Sequence, residues 1–461
     1  MRRGHAKRKI SLNALSLLML TLLGLTIIDA AQAGSLTVGA AKVDISSTGY
    51  ADGKPPARNY AHEYVYIRAI VLDNGETKAV LVGADLAGVR PEDMYQEAAA
   101  TVARELGMPV ANIIMSPSHT HSTYPVLENS EQVLAAIVRA VRLAAADMQP
   151  ASVGFGEGEV FLNANRDVID YETGRWTQDT NLDYPSDKTL AVMAFYDKRG
   201  APIAGYLNYA MHPVNGFLSG FISSDFAGAA SRHVEQAFGD SMITIFTQGA
   251  SGDQNPLHLR TGSNVMAVAS GTEVTGFELT RETVEGRLRG DVERRPNDPA
   301  ADEALKRWMD AQGQVVGEEA IRVMTNMGRL SDNVRIGANQ MILTCPGRDL
   351  VERVDRGYPG TYVDGDDVNI RVGFLGINEI GLAWTNAENY SLIGQQAMAE
   401  IPLAKTMVVT KSNGRPNSGY VPTDDAYGRN TFQVVRSRLK PGCAHAGIVK
   451  SVTDMAYDYI N

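Results

Sequence analysis

Three histidines stand where short apolar runs give way to polar loops. His119 and His121 lie in Ser118-His119-Thr120-His121-Ser122 after the run 112–115, and His212 lies in Met211-His212-Pro213 after 203–209. Two further loops of this kind hold carboxylates: Asp253 in Gly252-Asp253-Gln254-Asn255-Pro256 after 242–246, and Glu388 in Asn386-Ala387-Glu388-Asn389 after 380–384. Neutral imidazoles with a carboxylate are the donors of a catalytic zinc site, which keeps one position open for water. Such an ion lowers the pKa of its water from about 16 toward 7, giving hydroxide at neutral pH. A lone histidine is ordinarily structural, whereas a His-x-His pair after a buried strand points toward a metal. His62, His233, His258 and His445 lack such a setting and read as structural or surface residues. With only Cys345 and Cys443 in the chain, a cysteine-based zinc site is excluded, and any metal must take His, carboxylate or phenol ligands.

Loops that act together need rigid elements beneath them. Residues 64–73 and 79–84 read as strands, 91–106 as a helix opened by Pro91 in its first turn, and 112–115 as a short apolar strand. Val133, Ile137 and Val141 fall at helical spacing within 130–148, behind Asn129 or Ser130 as a cap. Strands follow at 203–209, 242–246, 371–377, 380–384 and 405–409. This alternation predicts the α/β class, with mixed β-sheets and flanking helices. Ligands of such folds gather at the carboxyl ends of strands, and that is where all four loops lie. Residues 300–327 are helical and charge-rich behind Arg294-Arg295-Pro296-Asn297-Asp298-Pro299, and predict a helical insertion on the domain surface within 260–340. There is no internal repeat and no low-complexity tract.

Arg2, Arg3, Lys7, Arg8 and Lys9 precede an apolar run from Leu12 to Ile28 and then Ala31-Gln32-Ala33, the order of a secretory signal peptide. The run is interrupted by Ser11, Asn13, Ser16 and Gly24 at its start and middle, which argues for cleavage over anchoring. The expectation is a signal peptide over 1–33, a single catalytic domain over 34–461, and export to the periplasm or beyond. No other stretch reaches the ~20 apolar residues of a membrane span. The formal charge of −10 includes the basic leader, and no lysine-rich run occurs, so nucleic acid is excluded as a partner. In an oxidising compartment Cys345 and Cys443 are a plausible disulfide pair.

Several segments carry a family pattern when taken in chain order. They begin with Val38-Gly39-Ala40-Ala41-Lys42-Val43-Asp44-Ile45 and Arg68-Ala69, pass through the His119-x-His121 loop, Asn165-Arg166, Ala210-Met211-His212 and Ser224-Asp225, and continue to Gly252-Asp253-Gln254-Asn255-Pro256. They end with Ala387-Glu388-Asn389-Tyr390-Ser391-Leu392-Ile393-Gly394 and Ser418-Gly419-Tyr420-Val421-Pro422-Thr423. Together they resemble the neutral or alkaline (non-lysosomal) ceramidases, whose corresponding stretches include Thr-His-Thr-His-Ser-Gly-Pro, Ala-Val-His, Gly-Asp-Val-Ser-Pro and Tyr-Ile-Thr-Thr.

The resemblance implies one catalytic zinc held by His119, His212, Glu388 and Tyr420, with His121 and Arg166 on the substrate's carbonyl or polar head. Its chemistry is cleavage of an amide in ceramide or another N-acyl amide, a small-molecule or lipid substrate. A preorganised Arg166 or His121 would stabilise the oxyanion, and His121 or Tyr420 would protonate the leaving amine. A phenol is an uncommon zinc ligand, and Tyr420 could instead swing away to act as acid or donor.

Two departures stand out. Where the family's Gly-Asp-Val-Ser-Pro presents a serine, this chain has Asn255, which cannot act as a nucleophile. Asp253 remains in the candidate set, with a turn-forming role as its alternative. The chain also stops soon after the tyrosine segment, so no C-terminal β-sandwich domain is expected, and nothing matches the family's glycine-rich loop. Three readings therefore stay open: a zinc amidohydrolase, a zinc hydrolase of an ester or other small polar substrate, and a non-catalytic relative that binds a ligand.

Overall fold

Two β-sheets stacked face to face hold the chain's most apolar strands. The computed structural model describes residues 33–49, 64–89, 91–123, 130–217, 222–269, 271, 299–352 and 356–461. The expected leader, His62 and the Arg294-Arg295 stretch lie outside these described residues.

The larger sheet has eight strands, in the order Ile243–Gln248, Pro202–Tyr209, Thr189–Asp197, Gln149–Glu159, Thr37–Asp44, Tyr66–Asp73, Lys78–Ala84 and Ile113–Pro117. Its two edge pairs are parallel and the remaining pairs antiparallel. The smaller sheet runs Ile336–Leu350, Tyr362–Ile377, Ile380–Thr385 and Lys405–Val409, with its last pair parallel. Leu72, Leu81, Ile114, Phe195 and Tyr206 of the first sheet meet Leu375, Leu382, Trp384 and Met407 of the second in one apolar layer. Each such side chain withdrawn from water contributes about 1.5–3 kcal/mol.

Helices cover both outer faces. Glu92–Leu106 and Ser130–Ala146 lie over one half of the large sheet. Asp225–Ala237 and Pro299–Thr325 lie over the other half. Ser391–Glu400 and Ala444–Ile460 close the small sheet. The result is a four-layer arrangement of helix, sheet, sheet and helix, a mixed α/β fold of the expected class. Pro299–Thr325 buries Val316, Ala320, Val323 and Met324 in the cluster that also holds Phe226, Ala230 and Val234.

The strand Gln149–Glu159 is absent from the expectation because Gly154, Gly156 and Gly158 alternate along one face and weaken any strand signal. That face lies beneath the end of the Pro299–Thr325 helix. A Cβ on Gly154 would come within 2.5 Å of Met327 Cγ, and one on Gly156 within 2.8 Å of Val323. The glycines are therefore a tertiary requirement, which period-2 reading of one strand cannot see. Cys345, on Ile336–Leu350, is joined to Cys443 at the start of the last helix, with Cα atoms 5.8 Å apart.

Candidate metal centre

Five strand ends converge on one place. They belong to Ile113–Pro117, Pro202–Tyr209, Ile243–Gln248, Ile380–Thr385 and Lys405–Val409, and each strand is one partner of a parallel pair. Hydrogen bonds between the loops fix their relative positions: Gly249 N to Tyr209 O at 3.0 Å, Thr410 N to Gln248 O at 2.8 Å, His121 N to Pro213 O at 3.1 Å, and Asn413 N to Met115 O at 2.9 Å. Gly252 N donates to Asn389 O at 2.7 Å. A Cβ on Gly252 would sit 2.8 Å from the Glu388 and Asn389 carbonyls, so this approach excludes any larger residue.

His119, His121 and His212 have ligating nitrogens within 4.8 Å of one another. Two of the rings are oriented by carbonyls: His119 Nδ1 lies 2.7 Å from Ala87 O, and His212 Nδ1 lies 2.8 Å from Gln254 O. An Nδ1–H donated in this way leaves the Nε2 lone pair pointing inward. His119 is held at φ 68°, the left-handed region that residues with a Cβ rarely occupy and that persists where surrounding bonds enforce it. Glu388 Oε2 faces His119 Nε2 at 3.5 Å and His212 Nε2 at 3.4 Å. His121 Nε2 lies 3.4 Å from His119 Nε2, and its ring meets Phe217 edge-on.

Burial lowers the pKa of all three rings. His212 is pushed down to about 4 by burial and by the nearby Arg166 charge, and His121 is held well below the ordinary range by burial and its two histidine neighbours. For His119 burial outweighs the opposing pull of Glu388. The rings are neutral at pH 7 and their lone pairs are available. Burial alone would raise Glu388, but the Lys411 ammonium beside it holds its carboxyl well below the usual range.

This donor set fits a divalent cation. His212 Nε2 and Glu388 Oε2 are buried without a hydrogen-bond partner, and their 3.4 Å separation exceeds the about 2.7–3.2 Å of an N–H···O bond. Buried polar atoms left in this way are costly unless something positive lies between them.

The remaining expected residues take distinct positions. Tyr420 is buried, pairs with Glu388 across a two-residue parallel bridge, and lies against both Glu388 and Arg166. Its hydroxyl is raised above its ordinary pKa by burial and by the Glu388 charge. Arg166 donates from Nη2 to Gly252 O at 2.5 Å and from Nη1 to Asn255 Oδ1 at 3.2 Å, with its guanidinium 5.5 Å from the Tyr420 ring centre. Asp253 stands behind this group. Its carboxylate accepts from Ser391 N at 2.7 Å and Asn165 Nδ2 at 2.9 Å, tying the start of the helix Ser391–Glu400 to the strand Asn163–Asp170.

Lys411 was not expected. Its Nζ lies 2.6 Å from Glu388 Oε1. The strand 405–409 is legible in the sequence, and a charged residue just beyond its carboxyl end, where neighbouring strands carry the histidines beyond theirs, is the signal that could have found it. Elsewhere, His233 bonds Glu318 at 2.9 Å and His445 bonds Gln396 at 2.6 Å, while His258 packs near Trp308.

Residues 33–273, more than half of the chain, match the family described as neutral/alkaline non-lysosomal ceramidase, N-terminal. That span includes His119, His121, Arg166, His212, Asp253 and Asn255. The fold is similar to a structure titled "Ceramidase complexed with C2", with a TM-score of 0.67 and 15% identity over 92% of this chain and 75% of the other. It is likewise similar to a neutral ceramidase from Pseudomonas aeruginosa, with a TM-score of 0.64 and 16% identity over 92% and 74% of the two chains.

Proposed function

Since the chain belongs to the neutral/alkaline non-lysosomal ceramidase family, we propose that it hydrolyses the amide bond of ceramide or another N-acyl amide, using zinc held by His119, His212, Glu388 and Tyr420. The observation that carries this is Glu388 Oε2, which faces two imidazole Nε2 atoms at 3.5 and 3.4 Å with no hydrogen bond of its own. Zinc bound there supplies a polarised carbonyl and an acidified water at neutral pH.

This chain's own side chains account for the rest. Arg166 is fixed by Gly252 O and Asn255 Oδ1, so a cation stands ready for charge that develops on the carbonyl oxygen without reorganising. His121 is neutral at pH 7 and sits 3.4 Å from His119, which suits it to take a proton and pass it to the departing amine. Tyr420 would serve as a second donor, on the same side as Arg166, only where its protonated phenol swings off the zinc instead of binding it. Asp253 orients the Gly252 turn and the helix behind Glu388 rather than meeting substrate.

The Cys345–Cys443 bond supports export through the leader expected at 1–33, because such bonds persist in oxidising compartments. Metal analysis of the purified protein, combined with a turnover screen on fluorescent N-acyl amides and matching esters, tests the proposal. Stoichiometric zinc with amide turnover is expected. Turnover of esters alone, or full zinc with no turnover, would replace it with one of the two other readings.

A further inference from the structure

Lys411 is placed at some cost. Its backbone has φ 62°, a conformation that disfavours any residue with a Cβ. The loop around it is fixed on both sides: Lys411 N donates to Ala387 O at 3.2 Å, Ser412 N to Thr385 O at 2.8 Å, and Asn413 exchanges two hydrogen bonds with the backbone of Met115 at 2.9 and 2.8 Å. The side chain is only 10% exposed, and its ammonium ends 2.6 Å from Glu388 Oε1. Methionine or leucine would fill comparable space without desolvating a charge. What lysine adds is a cation on one carboxylate oxygen, while the other oxygen faces the imidazoles.

We infer that Lys411 is a positioning residue for Glu388, reserving Oε1 so that Oε2 alone meets the metal, and that its positive charge keeps the bound ion incompletely neutralised. This rests on the zinc reading above. The site would otherwise present both oxygens of a buried carboxylate to a divalent ion, which then binds more tightly and polarises substrate less. Removing the ammonium frees Oε1 and also removes a like charge next to the ion, and in a buried site that repulsion outweighs the loosened carboxylate. Both changes tighten metal binding. A lysine that merely supports the loop gives the opposite sign, because a disordered Glu388 binds metal less well.

The test compares Lys411→Met, Lys411→Gln and Lys411→Arg in the full chain. Zinc affinity is measured by competition with a chromogenic chelator, coordination by the visible spectrum of the cobalt(II) form, and folding by thermal melts. Lys411→Gln keeps a hydrogen-bond donor and carries the test where the methionine variant does not fold. The neutral variants should bind zinc at least about tenfold more tightly, show a weaker cobalt band as coordination expands, and lose kcat with little change in KM. Lys411→Arg keeps the charge and should stay within about threefold of the parent in zinc affinity. Neutral variants that bind zinc equally or more weakly, with the parent cobalt spectrum, overturn the inference and leave the zinc site intact. A parent protein that binds no zinc, or keeps it after His119→Ala, overturns the site assignment itself.

Discussion

Asn255 Oδ1 accepts a 3.2 Å hydrogen bond from Nη1 of Arg166, so the residue at the family's serine position holds the arginine that lies against Tyr420. Its side chain therefore orients a neighbour rather than attacking. Asn255→Ser should change turnover by about tenfold or less, ~1.4 kcal/mol of barrier, and shift preference among acyl amides. Kinetics across an amide series checks this. A parent protein that is inert with full zinc, and active only as Asn255→Ser, would favour the ligand-binding reading.

Arg166→Ala should retain zinc and lose roughly 100-fold in turnover, the scale of one lost oxyanion donor. Lysine at that position should restore little, since a point charge cannot bond Gly252 O and Asn255 together as the planar fork does. Unchanged turnover in Arg166→Ala, measured alongside metal content, would confine this residue to holding the loop.

His119→Ala and His212→Ala should each abolish most zinc binding, because each removes an oriented Nε2 from a site with few donors. Metal analysis after dialysis against buffer of low zinc content reads the result directly. His233→Ala, whose ring bonds Glu318 near the surface, should leave zinc unchanged.

Burial raises the Asp253 carboxyl from 3.8 to about 6, so folding favours its protonated form. The contribution to stability is therefore fully present below pH 3.8 and is lost as pH rises through 6. Relative to Asp253→Asn, the parent should lose about 2–3 kcal/mol between pH 4 and pH 7. Chemical denaturation of both proteins across that range gives the difference. A pH-independent gap would show that the carboxylate stays ionised throughout.

Replacing Cys345 and Cys443 together with alanine opens a loop of sequence separation 98 and should cost about 2–5 kcal/mol of stability. Denaturation of the parent with and without reductant should reproduce the loss. The variant should keep its zinc, since the bond joins the hairpin to the last helix and not to the site loops.

Sequence period and strand-end position found the parallel strands and with them His119, His212 and Glu388, because parallel strands are buried on both faces and read as apolar runs. Tyr420 came from the family pattern alone, as Tyr420–Val421 is too short to carry a period of its own. The glycine-bearing strand Gln149–Glu159 escaped because its composition answers to a helix far along the chain. Lys411 escaped for a related reason. A lysine after a strand reads as solvated, and only the tertiary arrangement places Glu388 beside it. Asp253 was legible as a turn residue next to a glycine, but its grip on Ser391 and Asn165 depends on partners distant in sequence.

Glu388 and Tyr420 are paired directly, Cα to Cα, in a parallel bridge two residues long. Their spacing is thus set by backbone register and is independent of how much chain joins them. Insertions between Gly414 and Ser418, where the chain is tied at exposed positions by Arg415 N to Glu92 and Asn417 Nδ2 to Asp367 O, should therefore cost those bonds without moving either side chain. A single residue inserted between Gly419 and Val421 has the opposite effect, since a one-step slip turns the phenol to the far face. The bridge thus separates a lightly tied stretch of chain, where length can change, from one held to a single spelling.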